Sequence, residues 1–473
     1  MSFKIEKLQV IVLAAGQGTR MRSAVPKVLH RVCGYTLVGR ALRAAAGLKP
    51  ARIVVVVGYG EELVRKELAQ LQTLPFLEGI PLHVAVQSEQ RGTGHAVQSA
   101  MGELSANLDH VLIMPGDCPL IETEQLAALA NGAPASGLSF LTCDLPDPRG
   151  FGRVVRSSSG AVQGIVEQKD CSPEQLAIKE INSSIYLSDY KFLVESLKSI
   201  QCNNAQGEYY LTDIVQYGVS QKLPVTAHKL SDCTPLLGAN DRAELSQLER
   251  MRRDEINRRL MESGVTLEDP AQVYVDDDVL VGRDSYLGAG VRLRGRTVIG
   301  GGVTIDGNSI ITNSKVGDQT RIKLSCSIDD TDIGPRCEIG PFAHLRPGSK
   351  LHDGVKIGNF VETKKAELES GAKVNHLTYI GDAYVGEHVN VGAGTITCNY
   401  DGVNKHRTVI EAGAFIGSNS CLVAPVKVGE GAYIGAGSTI TKDVPPGSLG
   451  IGRARQENVS GWASKKQRSK TGE

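Results

Sequence analysis

This chain of 473 residues lacks three things, and each absence removes a class of protein. It has no net charge, since Lys plus Arg and Asp plus Glu each total 52. No global field therefore draws it to nucleic acid or an anionic membrane, and any phosphate-bearing ligand must be held by local charges. It also lacks any apolar run near the ~18 residues that a membrane helix needs. Residues 1–7 carry an acid and no apolar core, and the run at 8–15 enters a Gly-rich loop, so the start reads as a strand rather than a signal peptide. A cytoplasmic protein is expected. Finally, none of its ten cysteines stands at CxxC spacing and no histidine pair joins them, which excludes a zinc framework. Reduced, buried thiols are expected.

A chain this long holds two domains or more. Residues 1–240 alternate short β-rich runs (8–13, 53–57, 82–86, 111–114) with helical stretches such as 95–104 and 122–129. That is the pattern of a doubly wound, Rossmann-like α/β domain with a parallel sheet, whose ligands sit at the carboxyl ends of the strands. At 241–264 a helical linker is expected. Asp241 and Glu244 open it as a capping pair, Leu245, Leu248, Met251, Ile256 and Leu260 recur at helical spacing, and Gly264 stops it. Its basic residues would also suit a calmodulin-type target.

Residues 265–473 carry a different period. Aliphatic residues recur every six positions: Val281, Leu287, Leu293, Ile299, Ile305 and Ile311, then Ile333, Ile339, Leu345, Leu351 and Ile357, then Ile416, Leu422, Val428, Ile434 and Ile440. A helix cannot keep a period of six on one face. A coil of short strands can, each hexad forming one side of a prism with its aliphatic residue inward, coils stacked about 4.8 Å apart and small residues at the corners. The expectation is a parallel β-helix. One hexad, between Thr397 and Ile410, is overlong; a loop thrown from a rigid solenoid is either a tolerated insertion or a place for function.

The first strand runs into Ala14-Ala15-Gly16-Gln17-Gly18-Thr19-Arg20-Met21, with Pro26-Lys27 beyond. Met21 breaks a GxGxxG fingerprint and no P-loop Gly-Lys-Ser/Thr exists, yet Gly16 and Gly18 free the backbone to approach phosphates while Arg20 and Lys27 add charge. Further segments follow in order: Gln87–Ala96, Met114-Pro115-Gly116-Asp117, Gly150–Arg153, Ile165–Lys169, Glu180–Ser183 and Gly238–Arg242. Together they resemble the signature of sugar-1-phosphate nucleotidyltransferases. With the hexad domain attached, the chain resembles the bacterial bifunctional N-acetylglucosamine-1-phosphate uridylyltransferases/glucosamine-1-phosphate N-acetyltransferases over all but its last dozen residues. Pro115 stands where many relatives carry a tyrosine.

The resemblance implies an enzyme of UDP-N-acetylglucosamine synthesis, supplying cell-envelope precursors, with a left-handed β-helix and a homotrimeric assembly. In the N-terminal half it implies that Leu13, Ala14, Ala15, Gly16, Lys27, Gln87, Gly92 and Thr93 meet the uridine nucleotide. Gly152, Glu167 and Asn182 would hold the sugar, Asp117 with Asn240 would bind Mg²⁺, and Arg20 with Lys27 would offset charge on the leaving pyrophosphate. Asp117 alone could also be an Asx-turn residue. In the C-terminal half it implies His376 as the general base. Arg346 and Lys364 would take the sugar phosphate, Tyr379, Asn390, Asn399 and Tyr400 would complete the sugar pocket, and Ala393, Ser418, Ala436 and Arg453 would line the acetyl-CoA site. An imidazole suits base work near neutral pH. Acetyl-CoA and UTP are consumed substrates. Two rival readings stay open: a nucleotidyltransferase with a non-catalytic β-helix, and a non-enzymatic assembly subunit. The basic tail at 465–470 reads as a solvated end or as an aid to coenzyme binding.

Overall fold

The computed structural model describes residues 7–134 and 136–468. The first six residues, part of the stretch in which no signal peptide is read, and the end of the basic tail at 469–473 lie outside the described residues. The chain divides into two compact units, Met1–Arg252 and Arg253–Glu473, the division falling within the helix Arg242–Glu262. Among the described residues no helix is long and apolar enough to cross a membrane.

The main strands of the first unit are β1 (Leu8–Ala14), β2 (Arg52–Val57), β3 (Leu82–Val86), β4 (His110–Pro115), β5 (Leu138–Asp144), β6 (Glu180–Asp189) and β7 (Val225–Leu230). Their order across the sheet is β7-β5-β6-β4-β1-β2-β3. β1 is parallel to β2 and β4. Its alternate residues enter separate cores: Val10 and Val12 join Ile53 and Val55 on one face, while Ile11 joins Val54 and Val56 on the other. Burial on both faces explains why β1 and β2 read as unbroken apolar runs.

The sheet is mixed, not wholly parallel as the alternating pattern suggests, because β6 runs antiparallel to both β4 and β5. The chain enters β6 by way of the hairpin Arg153–Arg156/Val162–Val166 and the one-turn helix Pro173–Leu176, without the long crossover helix that joins parallel neighbours. A second correction concerns the thiols: Cys143 and Cys233 form a disulfide, with Cα atoms 5.5 Å apart, and the other eight cysteines are free. The pair is 90 residues apart in sequence. Only the parallel pairing of Leu230 with Cys143 brings the segment after β7 back to the end of β5.

The linker helix begins as expected: Asp241 Oδ1 accepts from the amides of Ala243 and Glu244 at 2.8 and 2.9 Å. Leu248 and Ile256 are buried, whereas Met251 is exposed rather than on the apolar stripe.

The second unit is the parallel β-helix that the hexads predict. Pairing runs from coil to coil mostly at offsets of 17 or 18 residues, as in Leu287 with Ile305, Ile305 with Ile322 and Ile339 with Ile357, and at 25 across the overlong hexad, as in Val391 with Ile416. Eleven parallel two- to four-residue strands make one face. The strands Glu362–Leu368 and Tyr379–Val385 each pair with strands on both remaining faces and so join them. The hexad aliphatics are buried; Val281, in the first coil, is half-buried.

Corners need left-handed backbone, and one corner carries it on nine successive coils: Gly290, Asn308, Ser325, Phe342, Phe360, Leu377, Gly394, Asn419 and Gly437. The expected small residues hold at most of these, but Phe342, Phe360 and Leu377 keep φ between 51° and 56° despite their bulk. Their amides are tied to the preceding coil, Phe342 to Leu324, Phe360 to Phe342 and Leu377 to Asn359, and the two phenyl rings stack 5.5 Å apart. Interstrand hydrogen bonding over-determines a conformation that an isolated residue would avoid.

Leu345 lies fully buried in this stack. Leu345→Ala is expected to cost about 2–5 kcal/mol in the stability of the second unit, read from denaturant unfolding. Unfolding of the first unit should be unchanged.

Candidate active sites

In the first unit the expected residues gather at the carboxyl ends of β1, β3 and β4. Gly18 takes a left-handed φ of +62°, and a Cβ there would lie 2.6 Å from Lys27 Cβ. Only glycine lets the Lys27 stem pass. The ammonium of Lys27 then forms an ion pair with Asp117 and donates to Asn240 Oδ1 at 3.0 Å. Two further bonds fix this trio: Ala239 N donates to the Asp117 carbonyl at 3.2 Å, and Asn240 N donates to Glu244 Oε2 at 2.6 Å. A carboxylate and an amide oxygen gripping one cation are the hard donors a divalent ion takes. The residues therefore fit a metal, with the ammonium standing in for it.

Gln87, Gly92 and Thr93 form a second group. Gln87 Nε2 donates to the Gly92 carbonyl at 3.1 Å and lies 3.2 Å from His95 Nδ1. Thr93 Oγ1 accepts from the Leu211 amide at 3.1 Å. Gly92 is at φ +101°, and a Cβ would strike the Tyr209 carbonyl at 2.6 Å. Leu13 and Ala14 end β1, Ala15 follows it, and Gly16 lies in open space. The Ala15 carbonyl accepts from Gln90 Nε2 at 2.9 Å, a contact the sequence reading missed.

Gly152, Glu167 and Asn182 also converge. Asn182 N donates to the Gly152 carbonyl at 2.9 Å, and Glu167 Oε2 lies 3.4 Å from where a Gly152 Cβ would stand. Burial pushes the Glu167 carboxyl above its ordinary pKa, with Asp170, Asp213 and Glu208 adding to the effect and the Thr212 hydroxyl opposing it. Asn182 Nδ2 donates to the buried Tyr186 hydroxyl at 2.7 Å. Arg20 joins none of these groups: it is exposed, and among the described residues its side chain makes no ion pair.

In the second unit the left-handed corner organises the site. Asn359, His376, Ala393, Ser418 and Ala436 each stand one residue before a left-handed position. Backbone bonds stack them: the Gly394 amide donates to the His376 carbonyl, Asn419 to Ala393 and Gly437 to Ser418. Arg453 Cδ lies 3.9 Å from where a Gly437 Cβ would stand. His376 is exposed, and its Nδ1 meets Asn359 Oδ1 at 2.7 Å. With an amide oxygen as partner, Nδ1 carries the proton of the neutral ring and Nε2 is left to accept another. Asn359 was not singled out from sequence, although it lies one coil before His376, and the coil period would have found it.

Arg346 and Lys364 occupy equivalent positions on adjacent coils, the Arg346 amide donating to the Thr363 carbonyl. Glu362 pairs with Arg346 at 2.7 Å. Lys405, also missed, comes from the overlong hexad and lowers the pKa of the Lys364 ammonium, with Arg346 adding its charge. Three mutually repelling cations mark a place for an anion. Tyr379 lies on the next coil, its ring against Gly381, and Asn390 starts a strand between Lys373 and Phe415. Asn399 is buried and donates to Asp382 at 2.5 Å, while Tyr400 is exposed.

The loop that supplies Asn399, Tyr400 and Lys405 is closed by Asp401, whose carboxylate accepts from the amides of Val403 (2.8 Å) and Asn404 (2.6 Å) and meets His406 Nε2 at 2.8 Å. These bonds, the Asn404 amide foremost, hold the carboxyl at about 2. Because that value is depressed, the loop keeps its full stabilisation above the ordinary carboxylate range and loses it only as pH falls through about 2.

Each unit thus has a recognisable class of site, nucleotidyl transfer in the first and hexapeptide-type acyl transfer in the second. Residues 10–268 match the family described as MobA-like NTP transferase domain, whose enzymes use a divalent metal. Residues 272–307 match the hexapeptide repeat of succinyl-transferase, and 330–365 with 407–442 match the bacterial transferase hexapeptide. The "Bifunctional protein GlmU" of Stutzerimonas stutzeri is 48% identical over 96% of this chain and 98% of its own length. Those of Trichlorobacter lovleyi and Geobacter metallireducens are each 45% identical over 97% of this chain, and over 98% and 99% of their own lengths. The chain belongs to the GlmU family: it is a bifunctional enzyme, uridylyltransferase and glucosamine-1-phosphate acetyltransferase in one polypeptide.

Asp401→Ala is expected to expose the amides of Val403 and Asn404 to rapid hydrogen exchange at neutral pH and to raise the KM for the sugar phosphate. In the unaltered chain their protection should persist down to about pH 4.

Proposed function

We propose that the sites divide the two reactions as follows. The second unit acetylates glucosamine-1-phosphate, its phosphate resting on Arg346, Lys364 and Lys405. His376 Nε2 takes a proton from the sugar ammonium, and the free amine attacks the thioester carbonyl of acetyl-CoA. The new C–N bond forms as the C–S bond breaks, and the second proton lost by the nitrogen is matched by the one the thiolate takes up to leave as coenzyme A thiol. Ala393, Ser418, Ala436 and Arg453 flank the coenzyme, and Tyr379, Asn390, Asn399 and Tyr400 hold the sugar.

The first unit then joins the acetylated sugar phosphate to UMP. Leu13–Gly16, Gln87, Gly92 and Thr93 hold the nucleotide, and Gly152, Glu167 and Asn182 hold the sugar. A phosphate oxygen, already anionic, attacks the α-phosphorus of UTP and expels pyrophosphate, so positioning and charge neutralisation suffice. Arg20 and Lys27 meet the charge on the leaving group. Asp117 and Asn240 would hold Mg²⁺, which supplies charge neutralisation for the polyphosphate when bound.

The observation that carries this reading is the His376–Asn359 pair on the corner that also bears Ala393, Ser418 and Ala436. A nucleotidyltransferase with an inert β-helix gives no reason for a base so oriented. We further propose a cytoplasmic homotrimer. The ladder of exposed Phe342, Phe360 and Leu377 beside His376 supports packing between subunits, since a continuous apolar ridge on a solenoid calls for cover.

Asp117→Ala should abolish uridylyl transfer and leave acetylation intact; equal loss of both in a folded protein would refute the division. His376→Ala should lower acetyl transfer by on the order of 10²–10⁴ in kcat, with recovery at alkaline pH where the amine is already free. Release of coenzyme A is the readout, and uridylyl transfer should not change.

A further inference from the structure

Lys27 is proposed above to meet phosphate, yet its ammonium sits on the two oxygens assigned to the metal. Its side chain is only 13% exposed and that of Asp117 25%, so the ion pair is largely withdrawn from water. The backbone on either side is pinned: Leu29 N donates to the Pro26 carbonyl, and His30 N to that of Lys27. The four-carbon stem is the part that can move, along the channel that Gly18 leaves open.

An ammonium and a divalent ion cannot share this oxygen pair. Both need the Asp117 carboxylate, and their charges repel at contact distance. A nucleotide phosphate nearby changes the balance, because it offers the ammonium another anion and the metal additional hard oxygens.

We infer that Lys27 is a built-in counter-ion for the metal site, which suppresses divalent-cation binding by the free chain and releases Asp117 and Asn240 when a nucleotide phosphate draws the ammonium away. Lys27 thereby couples the binding of metal and nucleotide beyond whatever they gain by touching each other. The inference rests on Asp117 and Asn240 being the metal's ligands.

The test is Mn²⁺ binding to the full-length protein, followed by electron paramagnetic resonance of the free ion, without substrate and with UMP. Lys27→Met and Lys27→Gln should each bind Mn²⁺ about tenfold more tightly than the unaltered chain in the absence of nucleotide, within the usual range of coupling between sites. UMP should tighten Mn²⁺ binding in the unaltered chain by a larger factor than in either variant. Asp117→Ala is the control. If it loses Mn²⁺ while the Lys27 variants bind no more tightly than the unaltered chain, the counter-ion role is overturned and the metal site stands. If Asp117→Ala binds Mn²⁺ as well as the unaltered chain, the metal assignment itself fails, and the counter-ion role with it.

Discussion

In the second unit, every position of chemical interest is set by the hydrogen bonds that stack one coil on the next, at intervals of 17 or 18 residues over much of the stack and 25 across the overlong hexad. Each coil is too short to bury anything by itself, since most of its strands hold only two or three residues. Stacking supplies partners for their backbone groups and encloses the aliphatic column at the same time. Side chains far apart in sequence then fall into vertical files. Asn359 reaches His376, Asp382 reaches Asn399, and Arg346 stands over Lys364 because each pair is one coil apart or nearly so. A site built this way has little freedom to drift, which suits the role proposed for His376, a base that meets an amine at hydrogen-bond distance.

The first unit solves the same problem differently. Its sheet is covered on both faces, and the groups that meet at its edge come from distant parts of the chain. Asp117 follows β4, Lys27 follows the Gly-rich loop after β1, and Asn240 precedes the long helix, yet all three meet. Backbone bonds from Ala239 and the Glu244 carboxylate do the joining. The Cys143–Cys233 disulfide anchors the start of the segment that leads to Asn240, giving it a second tether a few residues away.

Electrostatics divides the labour within each site. Burial among acids raises Glu167, and crowding among cations lowers Lys364; in both cases the charged form of the group is disfavoured until an opposite charge or a hydrogen-bonding ligand arrives. Asp401 is the reverse: its charge is fully satisfied within its own loop, so it serves shape rather than ligand binding.

Much of this could be read from residues alone, because some patterns are local. The hexads from Leu287 to Ile440 impose a β-helix, since no other backbone period keeps them on one side; the apolar runs of β1 and β2 imply a sheet covered on both faces; and Asp241 begins a helix by capping its own amides. Other features had no local signature. The antiparallel β6 depends on which neighbour it pairs with, and the bond between Cys143 and Cys233 on how β7 lies beside β5. The corner conformations of Phe342, Phe360 and Leu377 are ones their side chains resist, held by amides bonded to the coil before. Lys27 had charge and spacing for a phosphate, but its place between Asp117 and Asn240 needed three segments folded together. The sequence determined periodicity, caps and the inventory of reactive groups, which depend on neighbours along the chain. The tertiary structure decided pairing, direction and which charges meet, because those depend on neighbours in space.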